Sequence, residues 1–157
     1  MAAIPHSEKL NRGKATLQDL RSAILRRGAY GLVMVLEKNA NPSALVFYEP
    51  GDITIVRKLM LRIKSVRLGR ETKDFQKPLG MRELVINLTN VSEGLVSDVA
   101  NALVTMFKPR IYSGEPPLRS IEIVLTGGNE VEVSFICTSS NRPCGPTFKV
   151  FKVIKFE

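Results

Sequence analysis

A chain of 157 residues, 44% of them apolar, is long enough for one packed domain and too apolar to stay disordered. Its 23 Lys and Arg against 15 Asp and Glu leave a net charge of +8, which points to a polyanionic partner, either nucleic acid or an anionic membrane surface. The longest apolar run, residues 30–36, is far short of a bilayer span, and no charged-then-apolar leader opens the chain, so cytosolic synthesis without a signal peptide or transmembrane segment is expected.

Residues 1–13 carry Pro5, Ser7, Asn11 and Gly13 without apolar periodicity and read as a flexible arm, leaving 14–157 as a single domain. Thr16 with Asp19 three residues on forms a capping-box pattern. Leu17, Leu20 and Ile24 then give a short amphipathic helix that closes on Arg26, Arg27 and a C-cap Gly28. Residues 30–36 and 44–48 are β-prone runs joined by the turn cluster Asn39-Ala40-Asn41-Pro42, which predicts a hairpin. A long strand follows over 53–68, with Leu59, Leu61 and Ile63 on one face and Lys58, Arg62 and Lys64 on the other. Residues 69–81 are polar and unpatterned and read as a loop.

Residues 83–137 form the best-patterned unit. Leu84, Ile86 and Leu88 alternate with Val85, Asn87 and Thr89, the period of a strand with one buried face. Asn90 and Ser92 are candidate caps for a helix whose apolar stripe is Leu95, Val96, Val99, Ala100, Leu103 and Met106 or Phe107, stopped at Pro109. After a loop over 110–117, Ile121, Ile123 and Leu125 mark a strand. Gly127-Gly128-Asn129 marks a hairpin turn, and Val131, Val133, Phe135 and Cys137 the buried face of the returning strand. Cys137 and Cys144 are expected as a packed apolar residue and a free thiol, because a cytosolic compartment disfavours a disulfide. With one histidine they offer no metal ligand set. Thr147 onward is β-prone, but Lys149, Lys152 and Lys155 recur every three residues, a period that fits a strand only if it carries a bulge. The fold class expected is α+β: a mainly antiparallel sheet packed against one central helix, with a short N-terminal helix.

The charge is not scattered. Between positions 57 and 82 stand nine basic residues against two acidic ones, nearly the whole net charge in one sixth of the chain. Arg57, Lys58, Arg62, Lys64, Arg67, Arg70, Lys73 and Lys77 are therefore the candidate contacts to anionic lipid or ribonucleoprotein. Catalytic patterns are missing. The single histidine, His6, lies in the arm, and Gly127-Gly128 lacks the Lys-Ser/Thr of a phosphate-binding loop. Few aromatics and no RRM signature argue against base stacking. No catalytic residue, cofactor or metal is expected, and the chain is not expected to be an enzyme.

The segments Leu84-Val85-Ile86-Asn87-Leu88-Thr89, Leu95-Val96-Ser97-Asp98-Val99-Ala100, Ile111-Tyr112-Ser113-Gly114 with Pro116-Pro117-Leu118-Arg119, and the apolar strand over 121–128 resemble, in order and spacing, the core of rhabdovirus matrix proteins. The likeness covers about a third of the chain. The arm lacks the dense lysine run and Pro-Pro-x-Tyr motif of the animal-virus members, and the short, basic chain is more similar to the plant-infecting, cytoplasm-replicating branch. The resemblance implies a structural viral matrix protein in the virion beneath the envelope and at host cytoplasmic membranes. It would bridge an anionic membrane surface and the viral nucleocapsid, with the glycoprotein tail as a further partner, and drive nucleocapsid condensation and budding. It also implies a homo-oligomer self-associating through Tyr112, Pro116, Pro117 and Leu118. The competing expectation from the charge is a basic viral RNA-binding accessory protein, a silencing suppressor or movement protein.

Overall fold

The computed structural model describes residues 4–157; the expected arm therefore falls partly outside the described residues, at positions 1–3. The α+β expectation holds: two helices and a nine-stranded, mostly antiparallel sheet form a single domain. The sheet order is β1 (Leu32–Lys38), β2 (Asn41–Pro50), β3 (Ile55–Arg67), β9 (Thr147–Lys155), β7 (Val131–Cys137), β6 (Ser120–Gly127), β4 (Glu83–Ile86) and β5 (Arg110–Ile111), with β8 (Arg142–Pro143) paired beside β7.

The first helix, α1 (Leu17–Arg26), opens on the capping box read from the sequence: Thr16 accepts from the Asp19 N–H and Asp19 accepts from the Thr16 N–H. It closes with Gly28 at φ 63°, one residue beyond the cap Arg27. There Gly28 N–H bonds Leu25 O and Ala29 N–H bonds Ile24 O, which satisfies the last carbonyls. Strands β1 (Leu32–Lys38) and β2 (Asn41–Pro50) are joined by Asn39 and Ala40, both at positive φ, the tight turn whose twist suits a hairpin. β3 (Ile55–Arg67) pairs antiparallel with β2 and ends in a single 3-10 turn at Gly69–Glu71 within the expected loop.

After β4 (Glu83–Ile86) the chain enters α2 (Leu95–Phe107) later than the sequence suggested. Asn90 and Ser92 do not cap it. Asn90 sits in a turn closed by Val91 N–H to Leu88 O, Ser92 follows that turn, and the N-cap is Gly94 at φ 99°, a backbone state that a side-chain cap would not easily adopt. Lys108 closes the helix in the left-handed region before Pro109. A two-residue strand, β5 (Arg110–Ile111), then pairs parallel with β4 at the sheet edge. β6 (Ser120–Gly127) pairs parallel with the other side of β4, and β7 (Val131–Cys137) returns antiparallel to β6.

Contrary to expectation, the two cysteines are bonded to each other. The turn after β7, held by Asn141 N–H to Cys137 O at 2.8 Å, folds β8 (Arg142–Pro143) back on its own strand. Cys144, anchored by its N–H to Phe135 O at 2.9 Å, thereby reaches Cys137, and the two sulfurs form a disulfide across Cα atoms 5.7 Å apart. Both are buried, so neither is a free thiol.

The last strand, β9 (Thr147–Lys155), is not peripheral. It lies between β3 and β7, joining the β1–β3 half of the sheet to the rest. Alternation divides the sheet into two faces. Phe47, Leu61, Ile63, Ile123, Val133 and Val150 bury one of them under Val99, Leu103 and Met106 of α2. On the other face, Leu20 and Ile24 of α1 pack with Ile55 and against Leu32, Met34 and Tyr48. The face beyond α1, along β3 and β9, is left open.

Candidate nucleic-acid interface

β3 positions its cations by simple alternation. Leu59, Leu61 and Ile63 are buried toward α2, so Arg62 projects from the opposite face. The antiparallel register sets Arg62 beside Lys152 of β9, Ser65 beside Lys149 and Arg67 beside Thr147. Residues that pair directly across such a ladder share a face. Lys149 and Lys152 are three apart, which in a regular strand would put them on opposite faces. Phe151 has no partner in the ladder, and this bulge turns both lysines outward. Arg62, Arg67, Lys149 and Lys152, all exposed, therefore make a cationic strip over two adjacent strands, with Ser65 and Thr147 between them.

The strip has an acidic border. Lys64, the unpaired residue of a second bulge, places Nζ 2.8 Å from Glu130 Oε1. That hydrogen bond holds the Glu130 carboxyl below the usual carboxylate range, against a smaller opposing effect of desolvation and with the charges of Lys64 and Lys149 assisting. Glu132 of β7 pairs across the ladder with Lys149. Ser65, Arg67, Glu132, Thr147 and Lys149 line a shallow recess of about 160 Å³ at the end of the strip.

The eight cations proposed from the sequence do not form one array. Arg62 and Arg67 lie on the strip, and Lys64 is engaged at its border. The Arg57 guanidinium sits 3.9 Å over the Phe156 ring. Lys58 is a half-buried bulge residue whose carbonyl accepts the Phe156 N–H. Arg70 lies in the 3-10 turn, and Lys73 and Lys77 are exposed in the loop that follows. Sequence reasoning omitted Lys149 and Lys152 from the site; their three-residue period was the available signal, and it became readable only once the bulge was located.

The other proposed cluster is spread over one loop. The Tyr112 hydroxyl donates to Glu122 Oε2 at 2.8 Å and its N–H to Ile86 O at 3.0 Å, so this side chain is committed within the chain. Burial first, then the Glu122 hydrogen bond, raises its phenol above the ordinary tyrosine value. The Pro117 carbonyl accepts from Ser120 Oγ at 2.6 Å, Pro116 is exposed, and Leu118 is 88% exposed. Among the described residues no three His, Cys, Asp or Glu side chains gather as metal ligands would, and no helix is long and apolar enough to cross a membrane.

No protein-family profile matches the chain, and no curated protein matches it. Solved structures do. The chain is similar to a probable ribosomal biogenesis protein from Aeropyrum pernix K1, with 25% identity over 96% of this chain and 84% of that one and a TM-score of 0.79. It also shares its fold with Mil, an archaeal Imp4-like protein, at 13% identity over 94% and 81% of the two chains and a TM-score of 0.59.

These likenesses overturn the viral matrix reading. The resemblance to matrix proteins lay in residues 84–128, where strand, helix, loop and strand follow one another as they do in many α+β units. The similarity to the biogenesis protein runs through nearly the whole chain, including β1–β3 and β9, which the matrix comparison left out. The viral nucleocapsid, the glycoprotein tail and the budding role were implied by that resemblance and fall with it, and the anionic membrane surface, which the charge had also suggested, gives way to partners in ribosome biogenesis; the homo-oligomer loses the resemblance that implied it. The viral RNA-binding accessory alternative falls for the same reason.

Proposed function

We propose that this chain is a ribosome-biogenesis factor that binds RNA along the β3/β9 face and acts by binding, not by catalysis. The observation that carries the reading is the similarity over 96% of the chain to a protein described as a probable ribosomal biogenesis protein. The strip supplies a physical means. Arg62, Arg67, Lys149 and Lys152 project from two hydrogen-bonded strands, so little backbone order remains to be imposed when phosphates arrive. Arginine offers a fork of N–H groups to phosphate oxygens, whereas lysine contributes a point charge. Ser65 and Thr147 place hydroxyls between the cations, within reach of 2′-OH groups. Glu130 and Glu132 repel phosphate at the β7 border and confine the backbone to the strip. Phe151, exposed at the β9 bulge, is a single ring beside four cations, so phosphate contacts outweigh base stacking and shape and backbone are read in preference to bases.

Fluorescence anisotropy with a ribosomal RNA helix–loop fragment, titrated from low to moderate salt, tests this. The R62A/K149A/K152A triple variant should lose about one to two orders of magnitude in affinity, and the log–log salt slope should fall by roughly 2–3. Unchanged affinity and slope in a folded variant would overturn the assignment of the strip.

A further inference from the structure

β1 lies at one end of the sheet order and pairs only with β2. Its other side is a row of backbone donors and acceptors without a partner strand among the described residues. Natural edge strands are usually blunted by proline, inward charge or cover. Here residues 32–36 read Leu-Val-Met-Val-Leu, with neither proline nor charge; Glu37 and Lys38 follow a bulge at the far end. Among the described residues no segment of the chain pairs with this edge. Ile4 packs against the main core, His6 bonds the Arg82 carbonyl, Glu8 pairs with Arg27, and Arg12 bonds the Ala15 carbonyl and the Met34 sulfur.

The segments that build this side also carry five of the twelve large apolar side chains left in solvent among the described residues. Leu10, Leu17, Leu25, Tyr30 and Val35 are exposed, Val35 by 49%. The orientation of the backbone groups follows from one contact. Ser43 Oγ donates to Leu36 O, so Leu36 turns its backbone toward β2. Alternation then turns Met34 inward as well and leaves the N–H and C=O of Val33 and Val35 on the free side.

We propose that this edge receives an extended segment of a protein partner, added to the sheet as one further strand. The free ladder specifies the occupant: an extended backbone, with apolar side chains at alternate positions to meet the row formed by Val33 and Val35. Lys108, whose Nζ lies 4.8 Å over the Tyr30 ring just before β1, favours an acidic residue at that end of the segment. The free side of β1 faces away from the β3/β9 strip, with β2 between them, so this inference does not depend on the RNA reading.

Amide hydrogen exchange by NMR tests it, with the N-acetylated, C-amidated peptide Thr-Val-Thr-Val-Thr-Val-Glu as probe. In the isolated protein the Val33 and Val35 amides should exchange quickly while those of Met34 and Leu36 are protected. Saturating peptide should slow Val33 and Val35 by about tenfold or more, and the same peptide with proline at its centre should not. Val35→Pro removes an outward N–H and is tolerated at an edge, and Val35→Lys adds a gatekeeper charge. Both should abolish the protection and leave the RNA affinity unchanged. Three results would overturn the proposal: Val33 and Val35 already protected in the dilute protein, protection that grows with protein concentration in place of peptide, or peptide protection that persists in both variants.

Discussion

At the scale of single residues, a count of cations says less than what each one already touches. Lys64 and Arg62 stand two apart on β3, yet Lys64 is bonded to Glu130 and Arg62 has no ion pair among the described residues. The pairing also leaves a titration signature. Because Glu130 is held below its ordinary value, its contribution to stability is present above the unfolded carboxylate pKa and is lost as pH falls through the depressed folded one. The pair is exposed, so salt should weaken the effect. Lys64→Met should move the Glu130 titration up toward the ordinary glutamate value, as followed by carboxyl NMR shifts against pH. A Glu130 that titrates identically in both proteins would show that Lys64 is not what depresses it. The same variant should lower RNA affinity only modestly, since it leaves an unpaired carboxylate at the border while all four cations of the strip remain.

At the scale of elements, what the sequence made legible was local. The β1–β2 hairpin, the α1 capping box and the β6–β7 hairpin all rest on residues a few positions apart, and their patterns were readable in advance. The β6–β7 turn depends on Gly127, which sits at φ 115° with the Glu130 carbonyl where a Cβ would have to go. Gly127→Ala should therefore cost about 1–3 kcal/mol, seen as a lower urea midpoint with an unchanged m-value. Gly128→Ala meets open space and should cost far less. Where elements depend on distant partners, the sequence reading stopped short. The period of three in β9 called for a bulge, but only its pairing with β3 shows that Lys149 and Lys152 share the face of Arg62. Cys144 reaches Cys137 only because β8 doubles back, which neither spacing nor compartment reveals. The helix start was misplaced because Asn90 and Ser92 carry cap chemistry, whereas the backbone at Gly94 decided the boundary.

At the scale of the whole molecule, the sheet is two halves held by β9. β1–β3 form one half, a meander, β4–β7 with α2 form the other half, and among the described residues no other strand joins β3 to β7. The best-patterned unit, residues 83–137, lies wholly in the second half, which is why a resemblance confined to it could mislead while the likeness that spans both halves is informative. β9 also contributes Phe148 and Val150 to the core and two of the four cations of the strip. Folding, core and proposed function thus converge on the C-terminal residues. Deleting residues 147–157 should remove the joint, uncover Leu61 and Val133 beneath α2, and leave a chain without a cooperative thermal transition by circular dichroism or dispersed amide NMR signals. Supplying the deleted residues as a separate peptide should restore both, because the strand is held by ladder bonds and burial on both flanks and not by its covalent link. A truncated chain that melts cooperatively on its own would show that the halves are independently stable, and β9 would then matter for the strip alone.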